Sequence, residues 1–316
     1  MTDSPRISLV VPIYNEEDNI EPFMAEVVSV LERLEGGFEI VAVDDGSKDG
    51  TYEKLVALHK KDRRIRVIKF RGNFGQTAAF AAGFDHARGE IIITIDADLQ
   101  NDPKDIPAMV AKLEEGFDIV AGWRKDRKDK FVSRRLPSII ANRIISSTTN
   151  VHLHDYGCSL KVFRREVIKN IKLYGEMHRF IPAIASWMGV SVAEMPVNHR
   201  PRVAGKSKYG IGRTIRVLLD LLTVKFLLSY STRPIQIFGL IGMISGLMGF
   251  LIALWVTYQR LFMDIPLSNR PILQLAILLI FIGVQFVSMG LLAELQSRTY
   301  HESQGKAIYV IKETLG

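Results

Sequence analysis

Residues 90–101 read EIIITIDADLQN, and they combine a strand signal with an acidic signal. The run from Ile91 to Ile95 is apolar and β-branched almost throughout, which is typical of a strand buried on both faces. It ends in Asp96 and Asp98, and this D-x-D spacing projects both carboxylates to one side. The stretch therefore predicts a buried parallel strand with two acids at its carboxyl end.

The rest of the first two-thirds of the chain repeats this strand signal and alternates it with helical patterns. Further strand-like runs lie at 7–13, 39–44, 65–70 and 118–123, and helical patterns at about 18–34, 51–61, 76–87 and 103–115. Such alternation predicts an α/β domain with a mostly parallel sheet, whose ligands bind beyond the carboxyl ends of the strands. We assign residues 1–210 to this domain.

The acids at the strand ends have two interpretations. Asp44 and Asp45 end the run at 39–44, so we expect them at the same edge of the sheet as Asp96 and Asp98. Close carboxylates repel unless a cation lies between them, and Mg²⁺ or Mn²⁺ held there would bridge to a diphosphate. The alternative is ordinary turn chemistry, because Asp and Gly are common in turns.

Two long stretches predict a membrane hairpin. Residues 234–259 and 271–293 contain no charged side chain, and roughly 20 apolar residues suffice to cross a bilayer. We expect transmembrane helices at about 234–258 and 271–293, the alternative being buried helices of a soluble domain. The basic region before the hairpin places the N-terminal domain and a C-terminal tail, 294–316, in the cytoplasm by the positive-inside rule. Gly242 and Gly246 form a small-xxx-small pair that indicates a helix contact and is compatible with a homo-oligomer.

Residues 211–233 lie just before the hairpin and have a different pattern. Arg213, Arg216, Asp220 and Thr223 recur at steps of three and four, which leaves the opposite helix face apolar. This amphipathic pattern favours a helix lying in the membrane interface, although a core helix of the α/β domain has a similar pattern.

The positive charge of the chain is concentrated in two places. The net charge is +7, whereas residues 124–143 and 198–216 each carry +6, so the remainder of the chain is slightly acidic. Concentrated positive charge indicates an anionic partner, such as phosphates, nucleic acid or an anionic membrane, or else a solvated basic face. We see no nucleic-acid recognition fold or stacking surface. A single cysteine, Cys158, excludes an intramolecular disulfide and fits a reducing compartment.

Other nucleotide-binding classes lack support. The sequence has no Walker loop, and RGNFGQTAAF at 71–80 does not have the G-x-G-x-x-G spacing of a dinucleotide-binding turn. HLHD at 152–155 resembles a metal pair, but no further ligand set accompanies it, so we interpret it as a structural loop.

Eight motifs in order resemble glycosyltransferase family two, with its GT-A fold. They are VVPIYNEEDNI, VDDGSKDGT, NFGQTAAFAAGFDHARGE, IDADLQNDP, GWR, DYGCSLKVFRRE, HRF and RPRVAGKSKYG, and they span about residues 5–215. They are most similar to the polyprenyl-phosphate branch, which contains dolichyl-phosphate mannose synthase and bacterial undecaprenyl-phosphate glucosyltransferases. The Q-x-x-R-W motif of processive synthases is absent, which favours single transfer.

The resemblance implies roles for individual residues. Nucleotide-sugar contacts are implied for Pro12, Tyr14, Glu16, Asp44, Asp45 and Asp96. Metal and diphosphate contacts are implied for Asp96, Asp98 and Gln100. Contacts with the acceptor phosphate are implied for Arg124, Arg134, Arg202, Ser207 and Lys208. Catalytic roles are implied for Arg124, Arg134 and Asp155, the last as a candidate general base. His178 and Arg179 match the HRF segment, with no assigned role.

The same resemblance implies an activity. The chain would transfer one hexose, glucose from UDP-glucose in our first interpretation, onto polyprenyl (undecaprenyl) phosphate with inversion, which gives a β-linked lipid. Mannosyl, aminosugar or arabinosyl transfer to the same lipid is the alternative. A membrane-tethered binding module without activity is a third hypothesis.

Overall fold

The computed structural model describes residues 4–125, 151–201 apart from 172 and 174–176, 235–267, 270–303 and 308–316. These residues divide into two units, a sheet domain within 1–224 and 307–316, and a helical hairpin within 225–306. The expected interfacial helix at 211–233 lies outside the described residues, and so do most of the two basic stretches.

The sheet domain alternates strands and helices as the sequence predicts. The strands are β1 Ile7–Ile13, β2 Phe38–Asp44, β3 Ile65–Phe70, β4 Ile91–Thr94, β5 Ile119–Trp123, β6 Lys161–Arg164, β7 Val192–Pro196 and β8 Ile311–Leu315. The helices of this domain are α1 Ile20–Leu31, α2 Thr51–Lys61, α3 Gln76–His86, α4 Ile106–Glu114, α5 Arg165–Lys169 and α6 Ile181–Ala185. Short 3-10 helices occur at Pro103–Asp105, Met177–Phe180 and Ser186–Met188.

All the strands join one mixed sheet in the order β7-β5-β6-β4-β1-β2-β3-β8. Strand β1 is parallel to β2 and β4, β2 is parallel to β3, and β5 is parallel to β7. Strand β6 is antiparallel to β4 and β5, and β8 is antiparallel to β3. The α/β architecture is thus confirmed, and the acids that follow β2 and β4 lie at one edge of the sheet.

Both faces of the sheet are buried, which explains the continuous apolar runs. Leu9 and Val11 of β1 pack on one face in the cluster that includes Phe23 of α1, whereas Val10 packs on the other face with α3. Gly83 of α3 lies so close to β1 that a Cβ atom there would be 2.1 Å from Cγ1 of Val10. This close approach fixes α3, and the loop before it, against the centre of the sheet.

The last part of the chain differs from the expected tail. Helix α8 runs from Pro271 to Ser303, well past residue 293, and β8 then pairs with β3 at the edge of the sheet. The segment 294–316 therefore contains the end of a helix and a strand of the sheet domain. The sequence analysis missed β8 because Lys312 and Glu313 interrupt its apolar pattern.

The hairpin consists of α7, Ile235–Met263, and α8. Phe238–Met263 and Pro271–Ala293 are long and apolar enough to cross a membrane. The glycines of α7 lie at the contact with α8, since a Cβ on Gly242 would lie 2.7 Å from the carbonyl oxygen of Gly283. The expected helix contact is thus made within the hairpin.

Candidate active site

Two loops at the carboxyl edge of the sheet, after β1 and after β2, are tied together. Ser47 Oγ accepts the backbone N–H of Asn15 at 2.9 Å, and Asn15 Oδ1 accepts that of Lys48 at 2.9 Å. The Glu17 carboxylate accepts the N–H of Gly50 at 3.0 Å. Asn15 adopts φ 51°, in the left-handed region that asparagine tolerates better than most residues. These bonds give the loops a fixed shape beside β1.

Three predicted donor-binding residues lie on or after β1. Pro12 pairs with Val43 in the ladder between β1 and β2, and it is half-buried, as are Tyr14 and Glu16. The Glu16 carboxylate accepts the side-chain amide of Asn19 at 2.7 Å. These positions fit the predicted nucleotide contacts, which stay predictions.

Asp44 at the end of β2 is fully buried, and it is only partly satisfied. Its Oδ1 accepts the N–H of Ser47 at 3.0 Å, whereas its Oδ2 has no hydrogen-bond partner among the described residues. Burial raises the pKa of Asp44, and the bonds from Ser47 offset this only in part. A buried acceptor without a donor is costly, and an N–H or O–H group of a ligand would satisfy it.

Asp45 has a different environment. Its two oxygens accept the backbone N–H groups of Phe74 and Gly75 at 2.6 and 2.9 Å. The next residue, Gly46, has φ 69° and packs against Gly72. A Cβ on Gly46 would lie 2.5 Å from the carbonyl carbon of Gly72. The Asp45 side chain thus anchors the loop before α3, and its expected role in nucleotide binding stays a prediction.

The D-x-D-x-Q segment follows β4. Asp96, Asp98 and Gln100 are half-buried, and Asp98 Oδ1 accepts the N–H of Gln100 at 3.2 Å. Leu99 between them has φ 60°, which is rare for a bulky side chain and is typical of strained functional segments. Burial and repulsion from Asp98 raise the pKa of Asp96.

Gln76 is a site residue that we did not single out from the sequence. It is the first residue of α3, and its Nε2 donates to Asp96 Oδ1 at 2.7 Å. The bond links the loop anchored by Asp45 to the acidic pair. The sequence feature that could have identified Gln76 is its place in the NFGQT motif, directly after Gly75.

Arg124 and Asp155 form a bidentate ion pair in which Asp155 is buried and Arg124 is half-buried. Arg124 Nε lies 2.7 Å from Asp155 Oδ2, and its Nη2 lies 2.9 Å from Oδ1. Only 15% of the Arg124 side chain and 4% of the Asp155 side chain are exposed. Burial opposes the charge of Arg124, but Asp155 raises its pKa above the ordinary value. The structure thus brings together the two described residues for which a catalytic role was expected.

Lys161 of β6 is a buried cation near this pair. It is 3% exposed, and its Nζ donates to the carbonyl oxygens of Tyr156, at 3.1 Å, and Cys158. Burial lowers its pKa to about 8. The sequence signal was a charged residue inside the apolar run CSLKVF, which we did not interpret. Cys158 is fully buried, and burial raises its pKa to about 11, which makes it unreactive.

The HRF segment packs on the first turn of α3. His178 Nδ1 and Thr77 Oγ1 are 2.7 Å apart, and both side chains are buried. The ring of His178 lies 5.7 Å from that of Phe80, and Arg179 Nε lies 3.4 Å from His178 Nε2. The segment therefore supports α3 directly behind Gln76. Arg134, Arg202, Ser207 and Lys208 lie outside the described residues.

Asp96 and Asp98 could hold a divalent cation only if a bound ligand supplied further oxygen atoms to it. In the part of the chain that the structure describes, no group of three or more His, Cys, Asp and Glu side chains is placed to hold a metal ion. Mg²⁺ often takes one or two protein carboxylates and completes its shell with phosphate oxygens and water. Burial and the neighbouring Asp98 raise the pKa of Asp96, and a bound cation would favour its ionised form.

Comparisons with known proteins find relatives that match along nearly the whole chain. The chain is 44% identical over 317 residues to dodecaprenyl-phosphate galacturonate synthase of Rhizobium johnstonii, covering 98% of this chain and 93% of that protein. It is 36% identical over 311 residues to undecaprenyl-phosphate 4-deoxy-4-formamido-L-arabinose transferase of Edwardsiella ictaluri, covering 98% and 94%.

Solved structures share the fold of the sheet domain. Mannosyl-3-phosphoglycerate synthase from Rubrobacter xylanophilus superposes with a TM-score of 0.56 at 16% identity, covering 70% of this chain and 74% of that one. Glucosyl-3-phosphoglycerate synthase from Mycobacterium tuberculosis, solved with Mn²⁺ and UDP-glucose, gives 0.54 at 19% identity, covering 70% and 79%. At these identities the likeness shows the fold alone, and the fold is the expected GT-A architecture.

The family assignment rests on the sequence. The model of glycosyl transferase family 2 matches residues 8–172, a range that includes every strand-end acid of the site. Together with two relatives matched along nearly their whole length, this match shows that the chain belongs to glycosyl transferase family 2.

Proposed function

We propose that the protein transfers one sugar from a nucleotide-sugar to the phosphate of a polyprenyl phosphate at the cytoplasmic face of a membrane. One observation carries this proposal. The acidic pair and the ion-paired Arg124 share the carboxyl edge of the sheet, in a chain that runs from this domain through two apolar helices and returns to the same domain as β8. A polyprenyl tail lies in the bilayer, so its phosphate meets an enzyme only at the interface.

The proposed donor sugar differs from the one expected from the sequence. The sequence favoured glucose, but the two relatives are named for galacturonate and 4-deoxy-4-formamido-L-arabinose. We therefore propose galacturonate as the first donor sugar to test, followed by the formamido sugar and glucose. The unpaired Oδ2 of Asp44 supports the donor side, since a nucleotide offers N–H and O–H groups to such an acceptor.

The chemistry we propose is a single in-line displacement with inversion at the anomeric carbon. The second pKa of a phosphate monoester is near ~6, so the acceptor is largely a dianion at neutral pH and needs little deprotonation. Both oxygens of Asp155 already accept guanidinium N–H groups, which does not suit a nucleophile or a strong base. A divalent cation, when bound, neutralises the diphosphate leaving group. The residues of the chain then mainly position and balance charge.

Membrane orientation follows from the same connectivity. Both ends of the hairpin connect to one domain, so an even number of crossings is required, and two helices satisfy it. The basic stretches of that domain support a cytoplasmic location by the positive-inside rule. The experiment is proteolysis of sealed inside-out vesicles, which we expect to cleave at both termini and not in the 264–270 link.

The activity test uses the detergent-purified protein with undecaprenyl or dodecaprenyl phosphate and Mn²⁺ or Mg²⁺. UDP-galacturonate, the UDP-linked formamido sugar, UDP-glucose, UDP-N-acetylglucosamine and GDP-mannose are supplied separately. We expect a glycolipid from one donor, lost with a chelator and in Asp98→Ala. Nucleotide binding without a product from any donor would instead support the binding-module hypothesis.

A further inference from the structure

Glu194 of β7 accepts hydrogen bonds from two adjacent residues, His154 and Asp155. Its Oε1 accepts the N–H of Asp155 at 2.9 Å and that of His154 at 2.9 Å, and its Oε2 accepts His154 Nδ1 at 2.7 Å. Only 10% of the Glu194 side chain is exposed. A half-buried carboxylate that accepts three donors from two adjacent residues fixes the backbone at that point.

We propose that Glu194 is a positioning residue for sugar transfer, acting through Asp155 on Arg124. This inference rests on the proposed function. Glu194 pairs with Ala121 in the ladder between β7 and β5, and β5 leads directly to Arg124. The carboxylate thus sets the distance between the strand that carries Arg124 and the peptide that carries Asp155.

The geometry of the pair depends on that peptide. Asp155 has to offer Oδ2 to Arg124 Nε and Oδ1 to Nη2, and its Oδ1 also accepts the N–H of Gly157 at 3.1 Å. A small shift of the Asp155 backbone breaks this pair of hydrogen bonds, because bidentate pairs tolerate little misalignment. The Arg124 guanidinium would then leave the orientation in which it meets a phosphate.

His154 ties Glu194 to the GWR segment as well. Its ring stacks on Trp123 with centroids 4.3 Å apart and planes at 18°. Because the partner of Nδ1 is a carboxylate, the contact favours a ring with its proton on Nδ1. This contact gives HLHD a role in holding the loop, as the sequence analysis expected for a structural segment.

Both side-chain oxygens of Glu194 accept hydrogen bonds, and an amide has only one such oxygen. In Glu194→Gln one acceptor oxygen becomes an NH₂ group that faces N–H donors of His154 or Asp155. Two donors then oppose each other at a half-buried position, and the loop has to move. The substitution keeps the size of the side chain, so it tests hydrogen bonding rather than packing.

Asp118 offers a matched control at the other end of the same strand pair. It directly precedes β5, and its Oδ2 accepts the N–H and Oγ–H of Ser191 at 2.7 and 2.8 Å. In Asp118→Asn the amide oxygen can take the place of Oδ2 and accept the same two donors, far along the strands from Arg124. The variant therefore shows what a carboxylate-to-amide change on this strand pair does without a change in the positioning of Asp155.

The experiment compares wild type, Glu194→Gln, Asp155→Asn, the double variant and Asp118→Asn. We expect Glu194→Gln to lower kcat up to about tenfold, no more than Asp155→Asn does, with the donor KM within about threefold, since misplacement of a catalytic group lowers the rate of the chemical step. In the Asp155→Asn background the same change should lower kcat less than about threefold, because residues acting as a unit are not additive. Asp118→Asn should keep its kcat.

Backbone hydrogen exchange of residues 151–160 provides a readout that needs no activity. We expect faster exchange there in Glu194→Gln and wild-type exchange in Asp118→Asn. Unchanged exchange, or kcat losses that multiply in the double variant, would overturn the inference. If Glu194→Gln does not fold, Glu194→Asp, which keeps the charge but shortens the reach, takes its place with the same expected direction. A wild type that transfers no sugar, with the exchange difference present, contradicts the proposed function instead.

Discussion

Arg124 holds both oxygens of Asp155, with Nε 2.7 Å from Oδ2 and Nη2 2.9 Å from Oδ1. A carboxylate held in this way is a weak proton acceptor, because protonation would displace a charge-assisted hydrogen bond. The pair instead gives Arg124 a fixed orientation at the sheet edge. The relationship favours a positioning role for Asp155 over the general-base role that the family resemblance implies.

The first prediction compares Asp155 with Asp98. Asp155→Asn keeps the shape of the side chain and should lower kcat about tenfold, whereas Asp98→Ala removes charge stabilisation at the diphosphate and should lower it about a hundred- to a thousandfold. Single-turnover transfer by both variants, with nucleotide binding checked by calorimetry, measures the difference. An inactive Asp155→Asn beside an active Asp98→Ala would contradict this order.

Arg124→Lys tests the bidentate pair itself. Lysine keeps the positive charge but has neither the planar shape nor the two parallel N–H groups of the guanidinium. We expect kcat to fall about a hundredfold, because the loss of one charge-stabilising contact in an active site has an effect of this size. The donor KM should change less. Transfer at the wild-type rate would show that charge alone suffices at this position.

Gln76→Leu tests the link between α3 and the acidic pair. Loss of the N–H bond to Asp96 removes a contact that favours the ionised carboxylate, so the pKa of Asp96 should rise further. The acid limb of the transfer profile should then move to higher pH, and more Mn²⁺ should be needed at a given pH. Thr77→Val, which alters the adjacent contact with His178, is the control and should leave the limb in place.

The centre of the fold could be predicted from the sequence because buried parallel strands leave a strong signal. The runs ending at Ile13, Asp44, Phe70, Thr94 and Trp123 are mostly apolar and β-branched, even though β3 contains Arg66 and Lys69, and all became strands near the expected bounds. Strands β6, β7 and β8 are short, and the charged residues Lys161, Glu194 and Glu313 leave too few apolar positions in them for a strand pattern. Each of these charges is satisfied by a contact distant in sequence or by a local carbonyl, which a pattern of neighbours does not show.

The site was predictable in part for the same reason. Asp96 and Asp98 follow a strong strand, so their place at the sheet edge followed from the pattern. The bond from Gln76 to Asp96 joins residues on different elements, and the Glu194 contacts with His154 span 40 positions. Such pairs depend on the register of the sheet, which the sequence alone did not settle.

Lys161→Met tests the buried cation. The pKa of Lys161 is lowered to about 8 by burial, so between pH 8 and the ordinary lysine value of about 10.4 the unfolded chain binds more protons than the folded one. Lys161 therefore makes the protein more stable as pH rises through this window, and its contribution is lost as pH falls through about 8. We expect the melting temperature of wild type, relative to Lys161→Met, to rise from pH 8 to pH 10. A constant difference would show that Lys161 keeps its ordinary pKa.

The final prediction concerns β8 and the donor side of the site. The ring of Tyr309, just before β8, stacks on Phe70 with centroids 5.2 Å apart, and Phe70 contacts the ring of Phe74 at 5.7 Å. Phe74 in turn donates its N–H to Asp45, beside the unsatisfied Asp44. Tyr309→Ala should loosen this row of contacts and weaken nucleotide binding about three- to tenfold, the equivalent of one lost aromatic contact of about 1 kcal/mol.

Tyr309→Phe separates stacking from hydrogen bonding, because it keeps the ring and loses only the O–H bond to Asp85 at 2.7 Å. It should bind nucleotide as wild type does, whereas Tyr309→Ala should not, and calorimetric titration with the nucleoside diphosphate measures both. Equal weakening in the two variants would assign the effect to the Asp85 contact. Wild-type binding by Tyr309→Ala would show that β8 completes the sheet without supporting the donor loop, and that the return of the chain from the hairpin serves stability alone.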